Sequence, residues 1–137
     1  MSFEVRPVQV ARDRAAVFAL AGELDLATVD VVRVAAEPAC AKGDQVVLDM
    51  SDVAFCDSTG LGLIINLYRQ ATGAGGSVTL CALQERIRFL LEISGVDQVV
   101  PVAATVDEAL RQGGSATDSV VGPPLGGGPD GSTPPGV

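Results

Sequence analysis

Short apolar runs alternate along this chain with stretches in which apolar residues recur every three or four positions, and the two periods predict strands and helices in turn. Phe3–Val10 and Ala16–Leu24 read as two strands joined by a turn at Ala11–Arg14. The run Val17-Phe18-Ala19-Leu20 suits a central strand better than an exposed edge. Thr28 is placed to cap a helix whose apolar positions include Val31, Val32 and Ala35. Pro38 is expected to end or kink that helix near Glu37, because proline lacks a backbone donor and crowds the turn before it. Gly43 turns the chain into a strand at Gln45–Met50, built on the apolar run Val46-Val47-Leu48. A second helix runs from an Asp57 cap to about Ala71, with Leu61, Ile64, Ile65 and Tyr68 on its apolar face and Gly73, Gly75 and Gly76 stopping it. Ser77–Ala82 is the next strand, and Gln84–Ile93 a third helix with Ile87, Leu90 and Leu91 inward and Gly95 closing it. Val99, Val100 and Val102 make a short strand, and Thr105-Val106-Asp107-Glu108 fits a capping box opening a last helix through Leu110. The order β-β-α-β-α-β-α-β-α predicts an α/β domain, a mixed and mostly parallel sheet packed with about four helices through right-handed crossovers. No coiled-coil repeat or large exposed apolar stripe is evident.

The character changes at Gly113. The last 25 residues hold 13 Gly or Pro and no aromatic, Lys or Arg, too little apolar surface to offset the entropy of ordering. Residues 1–112 are therefore expected to form one domain and residues 113–137 a disordered Gly/Pro-rich tail. A proline-rich docking peptide is the other reading of the tail, which Gly126-Gly127-Gly128 disfavours.

Composition narrows the function. A net charge of -8 argues against nucleic-acid binding, which calls for a basic patch. Apolar runs stop well short of the roughly 20 residues that cross a bilayer, and no charged segment followed by an apolar stretch opens the chain. A cytoplasmic protein without membrane insertion is expected. The chain has 0 histidines, which removes Ser-His-Asp and Cys-His nucleophile pairs and histidine-containing zinc sites. Cys40, Cys56 and Cys81 show no C-x-x-C pairing and read as buried thiols; a redox role for Cys56, two residues before Ser58, is the minor alternative.

Chemistry concentrates at Asp57-Ser58-Thr59-Gly60, between the strand at Val46 and the helix carrying Ile64. Residues of these types are the usual N-caps, and the plain reading is a structural cap with no chemistry. The same place also offers unpaired N–H groups and a positive dipole end to a phosphate, either bound or attached to a hydroxyl. Gly73-Ala74-Gly75-Gly76 follows a helix and lacks G-x-G-x-x-G spacing, and no Walker loop occurs, so no nucleotide site is indicated. Glu23, Asp25, Asp49, Asp52 and Asp57 are the candidate acids for catalysis or metal binding. Asp49 and Asp52 are expected to flank a turn and bond local backbone. Asp25 and Asp57 each end a strand on the same sheet edge, where α/β proteins bind ligands and partners, although solvated surface acid is the commoner role for either. No metal and no cofactor is called for.

Two blocks carry a resemblance. Leu48-Asp49-Met50-Ser51 with Val53-Ala54-Phe55-Cys56-Asp57-Ser58-Thr59-Gly60-Leu61-Gly62 resembles the signature of the STAS family, and most of all its bacterial anti-sigma factor antagonists. Upstream, Leu20-Ala21-Gly22-Glu23-Leu24-Asp25-Leu26-Ala27-Thr28 resembles the family's G-E-L-D segment, and the likeness spans about Phe3 to Gln112. The resemblance implies a STAS-like fold and an antagonist that is not an enzyme but a kinase substrate. Its unphosphorylated form would bind an anti-sigma factor serine kinase and free the sigma factor. Phosphorylation at Ser58, with Thr59 as the alternative hydroxyl, would switch it off, and a PP2C-type phosphatase is a further implied partner. Asp25, Asp57, Ser58, Thr59, Gly60 and Leu61 are the partner-binding residues so implied. A STAS subunit of a signalling assembly or of a lipid transporter, with no switch, is the alternative within the family. A small enzyme or nucleotide module using the Ser58 pocket is the alternative outside it.

Overall fold

The apolar run Val46-Val47-Leu48 explains the architecture, because its residues point alternately to two buried faces. Val46 and Leu48 enter the larger core and Val47 a smaller one on the other side of the sheet. A computed structural model describes residues 3–119. Five strands, β1 (Glu4–Val8), β2 (Ala15–Leu24), β3 (Gln45–Cys56), β4 (Ser77–Cys81) and β5 (Val102–Ala103), lie in sequence order across one sheet. β1 pairs antiparallel with β2, and the other pairings are parallel. β2 therefore has a neighbour on each side, as its continuous apolar run requires.

The parallel strands are linked by α1 (Val29–Ala41), α2 (Ser58–Gly73) and α3 (Glu85–Ser94). All three pack on one face: Val32, Ile64 and Ile87 share a core with Leu20, Leu48 and Leu80. Crossovers of one hand between strands laid down in order must land on one side. The fourth helix, α4 (Val106–Ser119), covers the other face, where Ala109 meets Val17, Val47 and Cys81. Thr105 caps it, accepting from the Glu108 N–H at 3.1 Å, while Glu108 Oε1 accepts from the Ala104 N–H at 2.8 Å. The expected mixed sheet with four helices is thus present.

Several boundaries differ from the sequence reading. α1 does not stop at Glu37 but carries Pro38 inside it, held by the burial of Ala36, Ala39 and Cys40. Val34, whose carbonyl loses its helical donor to the proline, lies on the solvent side, where water can serve it. Val31, one of the apolar positions of this helix, is 44% exposed on its outer face. β3 does not end at Met50 but continues to Cys56, so Asp49 and Asp52 flank no turn. Its inward residues run Leu48, Met50, Val53, Cys56, and the three-residue steps coincide with two irregularities in pairing to β2. Extra residues of this kind are β-bulges, which hide a strand from any test for alternation. Asp49 does bond local backbone, accepting from the Ser51 N–H at 3.0 Å. β5 is only the two residues Val102–Ala103; Val99 and Val100, expected in the strand, follow a short 3-10 helix at Val96–Gln98 and lie outside it. α4 passes Leu110 and reaches Ser119, while residues 120–137, most of the expected tail, lie outside the described residues.

Candidate functional site

β2 and β3 finish level with one another, Leu24 opposite Cys56, and the Asp57 N–H donates to the Leu24 carbonyl at 3.1 Å. This register brings Asp25 and Asp57, the next residues of their strands, to one edge of the sheet. Each carboxylate is committed locally. Asp57 is in extended conformation and its Oδ1 accepts from the Gly60 N–H at 3.0 Å, capping α2. Asp25 Oδ1 accepts from the Ala27 N–H at 3.0 Å and lies 3.3 Å from Thr28 Oγ1.

The hydroxyls differ more sharply. Thr28 occupies the N-cap position of α1 without capping it. Its Oγ1 donates to the Glu23 carbonyl at 2.7 Å and accepts from the Asp25 N–H at 3.0 Å, tying the β2–α1 loop together. Ser58 is the first residue of α2, exposed, and its hydroxyl makes no hydrogen bond among the described residues. Thr59 beside it is half-buried. The positive end of a sixteen-residue helix lies directly behind the Ser58 hydroxyl.

Gly60 and Leu61 are buried and act as supports for this edge. A Cβ on Gly60 would lie 2.8 Å from Cys56 Sγ, 2.9 Å from Leu24 Cγ and 2.9 Å from the Leu24 carbonyl oxygen. Only glycine lets the first turn of α2 rest on both strand ends. The Cys56 thiol beneath it is buried and its pKa is pushed from 9.0 up to about 12, first by desolvation and then by the Asp57 charge. A buried thiol held neutral in this way suits packing.

Two flanks of the edge escaped the sequence reading. Leu26, in the loop beyond Asp25, is 76% exposed. A leucine lying outside both neighbouring periodic segments was the available signal. On the other flank, α3 covers the part of β3 that outruns β4: Gln84 Nε2 donates to the Ser51 carbonyl at 2.9 Å and Arg86 reaches the Ala54 carbonyl at 3.4 Å. Phe55, Arg86, Ile87, Phe89, Leu90 and Ile93 line an open groove of about 240 Å³ there. Among the described residues no group of His, Cys, Asp or Glu could hold a metal ion, and no helix is long and apolar enough to cross a membrane.

The fold is that of a STAS domain. The chain belongs to that family, whose profile, described as STAS domain, matches residues 6–109. It is similar to the anti-sigma-B factor antagonist of Bacillus subtilis, 32% identical over 92 residues that cover 67% of this chain and 84% of that protein. The crystal structure of an anti-sigma factor antagonist from Mycobacterium paratuberculosis superposes with a TM-score of 0.71 at 25% identity, covering 82% of this chain and 94% of the other. The Bacillus cell fate determinant SpoIIAA in its phosphorylated form superposes with a TM-score of 0.60, covering 81% and 98% of the two chains, and at 24% identity it shows the fold alone.

Proposed function

We propose that this protein is an anti-sigma factor antagonist whose unphosphorylated form binds an anti-sigma factor that is also a serine kinase, and that phosphorylation of Ser58 ends the binding. The observation that carries this reading is the free, exposed Ser58 hydroxyl at the head of α2, with the capping duty taken by Asp57. The relatives named as anti-sigma factor antagonists support the class of partner. SpoIIAA, known in phosphorylated form, supports a covalent phosphate on this fold.

The switch is electrostatic. The γ-phosphoryl group of ATP passes to Ser58 Oγ, ADP leaves, and the hydroxyl proton goes to a base on the kinase. The product adds about -1.5 to -2 charge at neutral pH. The N-terminus of α2 tolerates that charge, so the domain stays folded. A partner docked closely over Ser58, Leu26 and the Phe55 groove meets an unpaired phosphate beside Asp57. Loss of about 3–4 kcal/mol of docking energy weakens binding by a factor of a few hundred. A PP2C-type phosphatase would reset the protein. Thr59, half-buried, is the less accessible acceptor.

The test is capture from host lysate on immobilised wild type and Ser58→Asp, with mass spectrometry of both. A kinase-like protein held by wild type and lost on Ser58→Asp supports the reading. Equal partners on both baits, or a transporter or multi-subunit assembly in their place, would leave the fold and remove the switch.

A further inference from the structure

α1 is apolar on two opposite faces. Val29, Val32, Ala36, Ala39 and Cys40 pack inward. Ala27, Val31, Val34, Pro38 and Ala41 stand on the outer side, all exposed, with Val34 at 76% and Leu26 heading the row. Val31, Val34, Pro38 and Ala41, at steps of three, four and three residues, lie in one line along the helix, the spacing of a helix–helix seam, and Ala27 stands in the turn before it. A helix with a second apolar face presents that face for covering.

The charges beside the row say what covers it. Asp30 is neutralised by Arg33, one turn on. That leaves Glu37 on one border and Lys42 on the other; Lys42 is 70% exposed even with Asp44 at 3.5 Å. Two copies of α1 laid antiparallel would bring the border that carries Glu37 against itself. Laid parallel, they set Glu37 of each copy against Lys42 of the other, five residues on, with no like charges opposed. A seam of this length buries less than the roughly 1,000 Å² expected of a stable interface, so the association is concentration-dependent.

We infer that the outer face of α1 is a self-association surface, on which a second copy of this chain docks with its α1 parallel. α1 starts at the sheet edge that holds Asp25 and Ser58, so the pair presents both Ser58 hydroxyls from the same end. The inference does not depend on the switch: it would hold for an unphosphorylated structural subunit.

Sedimentation equilibrium of the full chain from about 10 to about 500 μM tests it, over the range of weak interfaces. The weight-average mass is expected to climb from 13.9 kDa toward twice that value. Val34→Glu is expected to stay monomeric with an unchanged melting temperature. Glu37→Lys alone and Lys42→Glu alone should each weaken association about tenfold, and the double exchange should restore it, since only the parallel arrangement opposes these two positions. A wild type monomeric throughout, a dimer that survives Val34→Glu but is lost in Phe89→Glu, or a double exchange that fails to restore association would each overturn it.

Discussion

At the end of β2 an aspartate is followed three residues later by a threonine, and at the end of β3 an aspartate is followed immediately by a serine. The two strand ends lie side by side in register. In the β2–α1 loop, Asp25 and Thr28 bond each other and the backbone of Glu23, and the hydroxyl has nothing left to offer. In the β3–α2 junction, Asp57 alone serves the helix and Ser58 is left over. Similar residues at one edge thus make a knot in one loop and a reactive point in the other. The difference lies in whether a side chain caps the helix: Asp57 caps α2, and none caps α1. Where the carboxylate bonds an N–H of its own helix, the neighbouring hydroxyl goes free.

The largest effect expected at the β3 end is the protection of its thiol. With a pKa raised from 9.0 to about 12, folded Cys56 should alkylate about a thousandfold more slowly at pH 8 than an unfolded thiol. Iodoacetamide labelling read by mass spectrometry, with and without denaturant, checks this. Cys40 and Cys81, each pushed to about 11 chiefly by burial, share the protection. The unfolded chain loses these protons near pH 9 and the folded chain only near 11–12, so stability is intact below pH 9 and should fall as the pH climbs through that window.

Next in size, a negative charge at position 58 should cost about a hundredfold or more in partner affinity, whereas ATP-dependent labelling should leave Thr28 unmodified. Phosphate mapped to Thr28 would erase the contrast between the loops. Gly60→Val should lower stability by about 2–3 kcal/mol by overpacking against Leu24 and Cys56. Gly62→Ala, with nothing within 4 Å of the added carbon, should be neutral or stabilising by up to about 1 kcal/mol. Thermal melts of the pair show whether the close approach belongs to Gly60 alone. Asp57→Ala should cost about 1 kcal/mol as a lost cap and leave Thr28 and its loop unchanged.

The strand-end aspartates and the position of Ser58 at the head of α2 were legible from the sequence, because caps and strand ends are written in residue type. The commitment of Thr28 to its own loop was not, since Ser and Thr give the same signal whether bonded or free. The first half of β3 was legible as Val46-Val47-Leu48; the second half was lost where inward residues step by three. Pro38 misled because a helix packed on one side tolerates a missing bond on the other. Val31 was assigned no side, because in α1 the inner and outer faces are both apolar, and periodicity alone does not tell them apart.

The two bulges in β3 have a consequence for chain length. From Phe18 to Leu24, β2 advances six residues, while β3 takes eight from Leu48 to Cys56 to cover the same distance. The two strands work like the scales of a vernier, matched at both ends and graduated differently between. Where Ser58 stands beside Asp25 is therefore fixed by a difference of two counts. A single-residue deletion anywhere in the Ser51–Phe55 stretch would move the serine by one graduation and turn it to the other side of the sheet, with every chemical group still present.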